Sequence, residues 1–418
     1  MSRQPSSAYM QKQRHRWAPP PVDRSVQRLD SPPFQSFWMG GFEGADHLNS
    51  RGEPLDLVKV SGHLDHLEID YAQMQAWHLT TVRESVGWRL SESNGLFDFS
   101  RARRFAQVAR NHGIQILWTL MHYGTPPDVS LLDDSFCERF ATFAAAAAAT
   151  LGELSDEPPI YTPINEMSFL AWAASQTRLI HPYGPAVEKL DGATMADGFQ
   201  IKCRLAKATL MAMEAIRQVD ARARFMHVEP IVHVVAPEGR PDLQELAEEV
   251  RSYQWQTWDI LSGRMMPELG GHPHAIDLIG VNHYHNGQWE VLTEKRLHWH
   301  LKDPRRRRFS SMLEEVWRRY HRPIVISETS HIGVGRAEWL DEMASEARLA
   351  VKHGVPVKGM CLYPIVDRPD WDDADHWHNS GLWDHAPEAT GTPRWPRRID
   401  LSYAKALHQW QSRMPRHS

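Results

Sequence analysis

Residues 161–169 read YTPINEMSF. With Ile160 before them, the β-branched and aromatic residues Tyr161, Thr162 and Ile164 spell a short strand, because such side chains pack well on a pleated surface. No turn residue separates this run from Asn165 and Glu166. A buried-looking strand that ends on an amide and a carboxylate has two readings. It is an edge dipping into solvent, or it is a strand whose C-terminal end carries chemistry. The second is the arrangement of an α/β barrel, where functional side chains sit at the C-terminal ends of the strands. The rest of the chain decides between them.

Outward from this stretch, short apolar runs alternate with amphipathic ones. Strands are expected at 37–41, 80–86, 114–120, 160–164, 224–228, 276–281, 323–327 and 359–363. The helices expected to follow them are 63–77, 100–111, 134–150, 194–219, 243–261, 310–320, 337–352 and 402–411. Six consecutive alanines at 144–149 suit the third of these helices. Eight strand–helix pairs without repeats or low-complexity segments predict an α/β fold, a single (β/α)8 TIM barrel over residues 34–413. Residues 1–33, rich in Gln, Arg, Ser and Pro, form an N-terminal tail expected to be irregular. A doubly wound sheet is disfavoured because no strand is followed by a glycine-rich phosphate turn; Gly40-Gly41 completes no GxGxxG.

Composition narrows the function. The 418 residues are 42% hydrophobic, enough to bury the core of one large barrel. A formal charge of −5 argues against a nucleic-acid partner, which would demand a basic stripe. The one basic run, Arg305 to Arg308, reads as a solvated helix start. Cys137, Cys203 and Cys361 show no pairing pattern. No stretch has the length of a membrane span or a signal peptide. A cytoplasmic protein without a membrane partner is therefore expected, and a homo-oligomer is left open. The 17 tryptophans lean toward carbohydrate, because flat rings suit the apolar faces of sugars.

The polar residues that stop each run then become the candidates. They are Arg83 and Glu84 on the second strand, His122 and Tyr123 on the third, Asn165 and Glu166 on the fourth. His227 and Glu229 end the fifth; Asn282, His283, Tyr284 and His285 the sixth; Glu328 the seventh; and Tyr363, Asp367, Asp370 and Trp371 the eighth. Two carboxylates, Glu166 and Glu328, thus share one bowl. Acetal hydrolysis needs such a pair, one to protonate the leaving oxygen and one to stabilise or capture the anomeric carbon.

These stretches resemble the retaining glycoside hydrolases whose catalytic glutamates lie on the fourth and seventh strands, and most of all the family 1 β-glucosidase type. The likeness is carried by TVRESVGW (81–88), TLMHYGTP (119–126), TPINEMS (162–168), DLIGVNHY (277–284), PIVISETS (323–330), YPIVDRPDW (363–371) and SGLWD (380–384), and spans about residues 36 to 410. The resemblance implies a glycosidase without a cofactor, acting by double displacement on a β-linked glycoside or oligosaccharide. It makes Glu166 the acid/base, Glu328 the nucleophile, Arg83 the cation that keeps Glu328 ionised, and Tyr284 a donor to Glu328. Asn165 would bind the sugar 2-hydroxyl, with His122, Asn282, Tyr363, Asp370 and Trp371 as further substrate contacts. The chain departs from that family at several points. The first strand, FWMGGFEGADH (37–47), offers Glu43, Asp46 and His47 in place of a sugar-binding Gln, so Glu43 and Asp46 join the substrate-binding candidates. Met167 replaces a Pro, Tyr363 a Trp and Asp370 a Glu.

Two other classes compete. A metal-dependent barrel hydrolase would use His-x-His pairs such as 272/274, 283/285, 298/300 and 376/378, but it would place one on the first strand, which has His47 alone. No metal is therefore expected. A non-catalytic carbohydrate-binding barrel would have no need of two carboxyls in opposite protonation states. The acidic stretch Asp372-Asp373-Ala374-Asp375 would repel a sugar phosphate and, with Glu43 and Asp46, would favour an amino sugar.

Overall fold

The computed structural model describes residues 33–182, 198–385 and 397–414. Eight parallel strands close into a barrel: β1 (Trp38–Gly41), β2 (Thr81–Ser85), β3 (Gln115–Met121), β4 (Ile160–Ile164), β5 (Arg224–Pro230), β6 (Leu278–Asn282), β7 (Ile324–Thr329) and β8 (Val357–Leu362). Each strand pairs with its neighbours in sequence, and β8 pairs back onto β1. The expected (β/α)8 architecture is therefore the observed one. The N-terminal tail expected over 1–33 lies outside the described residues, apart from Pro33.

Helices follow each strand in turn: His63–Ala76, Ser100–Asn111, Phe136–Gly152, Gly198–Val219, Gln256–Leu261, Phe309–Tyr320, Arg336–Lys352 and Leu401–Arg413. The alanine-rich helix shows why these segments fold as they do. It buries Phe136, Phe140, Phe143, Ala144, Ala147, Ala148 and Leu151, the three-to-four spacing of one helical face. Each buried aromatic contributes on the order of 1.5–3 kcal/mol, and the alanines let the next helix approach closely. At the last helix, Asp400 accepts a hydrogen bond from the Tyr403 amide at 2.8 Å and caps the N-terminus, an arrangement worth about 1 kcal/mol.

Two expectations need correction. The stretch 243–261 is not one helix. It runs as Gln244–Ser252, a 3-10 turn at Tyr253–Trp255, and Gln256–Leu261. Gln254 turns its amide to the β5 loop, bonding both Val232 N and Val232 O, and the axis breaks there. A helix at Met167–Gln176 has no counterpart among the expected elements. It starts on the residue after Glu166, so Asn165 and Glu166 alone separate β4 from the helix.

Strand alternation sorts side chains between barrel and helix layers. On β2, Arg83 points inward, while Glu84 accepts from Tyr71 (2.7 Å) and meets His63 (3.0 Å) on the helix side. The basic run at 305–308 is engaged throughout, with Arg305 on Glu290 and Asp303, Arg306 on the Leu297 carbonyl, Arg307 on Glu315 and Arg308 on Glu346. It offers no free polyanion site. No helix among the described residues is long and apolar enough to cross a membrane.

Candidate active site

The C-terminal mouth of the barrel gathers polar side chains from every strand. At its centre is Arg83, 1% exposed. One of its terminal nitrogens donates to Glu328 Oε1 at 2.8 Å and to the Ser327 carbonyl at 3.0 Å. The other donates to Thr119 Oγ1 and to Asn165 Oδ1, both at 3.1 Å. Local backbone makes this possible. At the end of β7 both ladders slip, with the register to β6 shifting between Ile326 and Glu328 and that to β8 between Ile326 and Thr329. Such an irregularity re-aims a side chain, and here it turns Ser327 O and the Glu328 carboxylate toward the same guanidinium. Tyr284 completes the site of Glu328, donating to Oε2 at 2.7 Å. Both carboxylate oxygens of Glu328 thus take a hydrogen bond, one from a cation and one from a phenol.

Glu166 sits in a different environment. Its φ and ψ of 43° and 60° are left-handed, a conformation that costs a non-glycine residue about 1–3 kcal/mol. That kink lets a strand turn at once into the Met167–Gln176 helix while its side chain stays in the bowl. Asn282 Nδ2 donates to Oε1 at 2.7 Å and Tyr123 Oη to Oε2 at 3.0 Å. Burial and the neighbouring Glu328 charge outweigh these donors and push the carboxyl up to about 8. Glu229 adds to the effect from β5. It caps the Met167–Gln176 helix, accepting from Ser168 N at 3.1 and 3.3 Å, and burial pushes its own carboxyl up to about 7. Buried Lys202 faces Glu229 and is lowered to about 8 by its own desolvation.

The remaining candidates divide. Asn165, fully buried, spends Oδ1 on Arg83 and points Nδ2 at Tyr123 Oη (3.1 Å) and His122 Nε2 (3.3 Å). A sugar hydroxyl would have to take over one of those contacts. His122 is held neutral by burial and by the nearby Arg83 charge, well below the usual histidine range. Its Nδ1 lies 3.4 Å from Tyr363 Oη, which also receives the Gly44 amide at 3.1 Å. Glu43 does not present a free negative charge. Arg368 Nε lies 3.0 Å from its Oε2; burial raises its carboxyl while Arg368 opposes the rise. Asp46, 1% exposed, spends Oδ1 on Gly124 N at 3.0 Å. With Glu43 paired to Arg368 and Asp46 bound to the Gly124 amide, the acidic loop at 372–375 is left as the open part of the electrostatic case for an amino sugar. Trp371 meets His47 edge-on at 4.6 Å and Tyr123 at 6.0 Å. Asp370, partly exposed, lies 3.2 Å from His378 Nε2.

Two residues of this constellation receive no role from the sequence. Tyr123 follows His122 directly at a strand end, and that adjacency is the signal available for it. Arg368 sits two positions before Asp370 in an otherwise acidic segment, and no local pattern marks it as the partner of Glu43. His47, 1% exposed, has no hydrogen-bond partner on either ring nitrogen among the described residues. Among the described residues no group of three or more His, Cys, Asp or Glu side chains is arranged to hold a metal ion.

A closed parallel α/β barrel with one arginine-bound glutamate and one proton-holding glutamate at its mouth defines the structural class. No family model matches the chain, and no curated protein sequence matches it. Solved structures do share the fold. The AHE enzyme from Alicyclobacillus herbarius superposes with a TM-score of 0.68 at 17% identity, covering 91% of this chain and 98% of that one. The β-glycosidase BGL167 gives 0.67 at 17% identity, covering 92% and 97%. A family 1 β-glucosidase from Thermotoga maritima gives 0.65 at 13% identity, covering 90% and 97%. At such identities the likeness is one of fold.

Proposed function

We propose that this protein is a retaining β-glycoside hydrolase in which Glu328 is the nucleophile and Glu166 the acid/base. The observation that carries the proposal is the opposite treatment of the two carboxyls. Glu328 takes hydrogen bonds of 2.8 Å from Arg83 and 2.7 Å from Tyr284, whereas Glu166 holds its proton up to about 8. A carboxyl that holds its proton suits the acid, and one bound by a guanidinium and a phenol suits the nucleophile. The barrel shared with the glycosidases supports the same reading.

In the first step Glu166 gives its proton to the leaving oxygen as Glu328 forms an ester with the anomeric carbon. Esterification removes the Glu328 charge, one of the causes that hold the Glu166 proton. Glu166 then releases it more readily and acts as base toward the incoming water. Double displacement requires carboxyls about 5–5.5 Å apart, not the roughly 6.5–9.5 Å that admits a water between them. A cytoplasmic setting belongs to the same reading, supported by three cysteines that are all free.

Stereochemistry tests the mechanism. Proton NMR of the first sugar released from an aryl β-glycoside should show retention. Glu328→Gly should be inactive on that substrate and rescued by azide, giving a glycosyl azide of inverted configuration. A first product of inverted configuration from the wild-type enzyme overturns the role given to Glu328.

A further inference from the structure

Tyr123 packs against His47, Phe169 and Trp371, but local propensity does not account for its backbone. Its φ is 80°, a left-handed backbone that aromatic residues seldom adopt. The turn is clamped on both sides by Asp46, whose amide donates to His122 O at 3.4 Å and whose Oδ1 accepts from Gly124 N at 3.0 Å. A Cβ at Gly124 would lie 2.6 Å from Asp46 O, so the clamp closes only on glycine. The clamp therefore enforces the strained turn, and the turn delivers a phenol 4% exposed into the bowl.

The hydrogen bonds of that phenol have one consistent direction. Arginine donates and never accepts, so the amide oxygen of Asn165 is the atom facing Arg83, at 3.1 Å. Asn165 Nδ2 must then donate to Tyr123 Oη, at 3.1 Å. With Asn165 donating to it, the hydroxyl has one proton, and among the described residues its acceptor is Glu166 Oε2 at 3.0 Å. A single guanidinium thus touches Glu328 directly and reaches Glu166 through Asn165 and Tyr123.

We propose that Tyr123 is a positioning residue for Glu166: its hydroxyl, made a one-way donor by Asn165, fixes the plane of the carboxyl and favours its anionic form. This rests on the acid/base reading of Glu166 for its catalytic meaning, not for the contact itself. Each face of Glu166 contributes. Glu328 from β7 and Glu229 from β5 favour the protonated form, whereas Asn282 from β6 and Tyr123 after β3 favour the anion. Tyr284 and Arg83 are engaged with Glu328. Tyr123 is the donor whose removal leaves the others in place, since Asn165 Nδ2 keeps His122 Nε2 at 3.3 Å as an acceptor.

The test reads Glu166 in the resting protein. Carbon-13 NMR of labelled glutamate carboxyls, with the Glu166 signal identified by its loss in Glu166→Gln, gives the titration midpoint without substrate. Tyr123→Phe should raise that midpoint by about one pH unit, the order of effect of one lost donor. 3,5-Difluorotyrosine placed at position 123, a stronger donor of nearly the same shape, should lower it and serves equally if the Phe variant fails to fold. In turnover, the alkaline limb of kcat/KM should move with the midpoint. The loss of rate in Tyr123→Phe should be larger for 4-nitrophenyl than for 2,4-dinitrophenyl β-glycosides, whose better leaving group needs less protonation. A midpoint unmoved by either replacement overturns the proposal, even if glycosides are hydrolysed. A midpoint that moves while no glycoside is turned over upholds it and removes the hydrolase reading instead.

Discussion

Arg83→Met isolates the contribution of the central cation. The substitution keeps an apolar stem of similar reach and deletes four hydrogen bonds, to Glu328, Ser327, Thr119 and Asn165. Removing one partner from a buried ion pair costs about 3–5 kcal/mol, because the remaining charge stays desolvated. At 1% and 6% side-chain exposure, Arg83 and Glu328 meet that condition. The expected stability loss is therefore about 3–5 kcal/mol. Activity should fall further than folding. A hydrogen bond to a charged group contributes about 1.5–3 kcal/mol, which is roughly 10- to 150-fold in rate at about 1.36 kcal/mol per decade. Loss of the Asn165 contact, and with it the Tyr123–Glu166 arrangement, adds to that. The assay is kcat/KM on an aryl β-glycoside alongside urea unfolding. Arg83→Lys serves as a control: it restores a point charge without the planar geometry and should recover stability more fully than rate. A folded Arg83→Met within about threefold of wild type would refute the reasoning.

Three further outcomes are expected. With Glu166 held up to about 8 by burial and Glu328, kcat/KM for a poor leaving group should fall as pH rises through about 8, and a flat alkaline profile would remove Glu166 as the proton donor. For His63, burial alone would lower the ring, but Glu84 and Asp70 outweigh it and raise it above its ordinary value; its stabilisation is present below about pH 6.5 and lost as pH rises through the raised value. His63→Gln should thus cost more at pH 6 than at pH 9, and an equal cost in urea melts at both would contradict this. Gly124→Ala would bring a methyl within 2.6 Å of Asp46 O and Oδ1 and should lower stability by about 1–3 kcal/mol, with kcat/KM falling as the Tyr123 turn shifts; unchanged melting and kinetics would show that the Asp46 clamp is slack.

Local chemistry makes much of the barrel legible in the chain itself. The runs 160–164 and 323–327 are short, apolar and β-branched, 37–41 is short, aromatic and apolar, and strand identity depends on just such near neighbours. The positions of Glu166 and Glu328 at strand ends follow from the same runs, and so does the eight-fold alternation. The helix at Met167–Gln176 escapes a pattern reading because MSFLAWAASQ is apolar almost throughout and shows little periodic face. The break near Gln254 escapes it because its cause, the backbone of Val232, lies elsewhere in the chain.

Residue order alone marks which polar groups stand at the ends of the strands. Their partners are settled in three dimensions. Arg83 and Glu328 are 245 positions apart, and Glu43 meets Arg368 across the closure of the barrel. Protonation follows from those meetings. Burial and Coulomb interactions depend on distance through space and on excluded water, to which sequence spacing is blind. Hence Glu43 and Asp46, alike as acidic residues of the first strand's loop, separate into an ion-paired group at the mouth and a clamp on the Tyr123 turn.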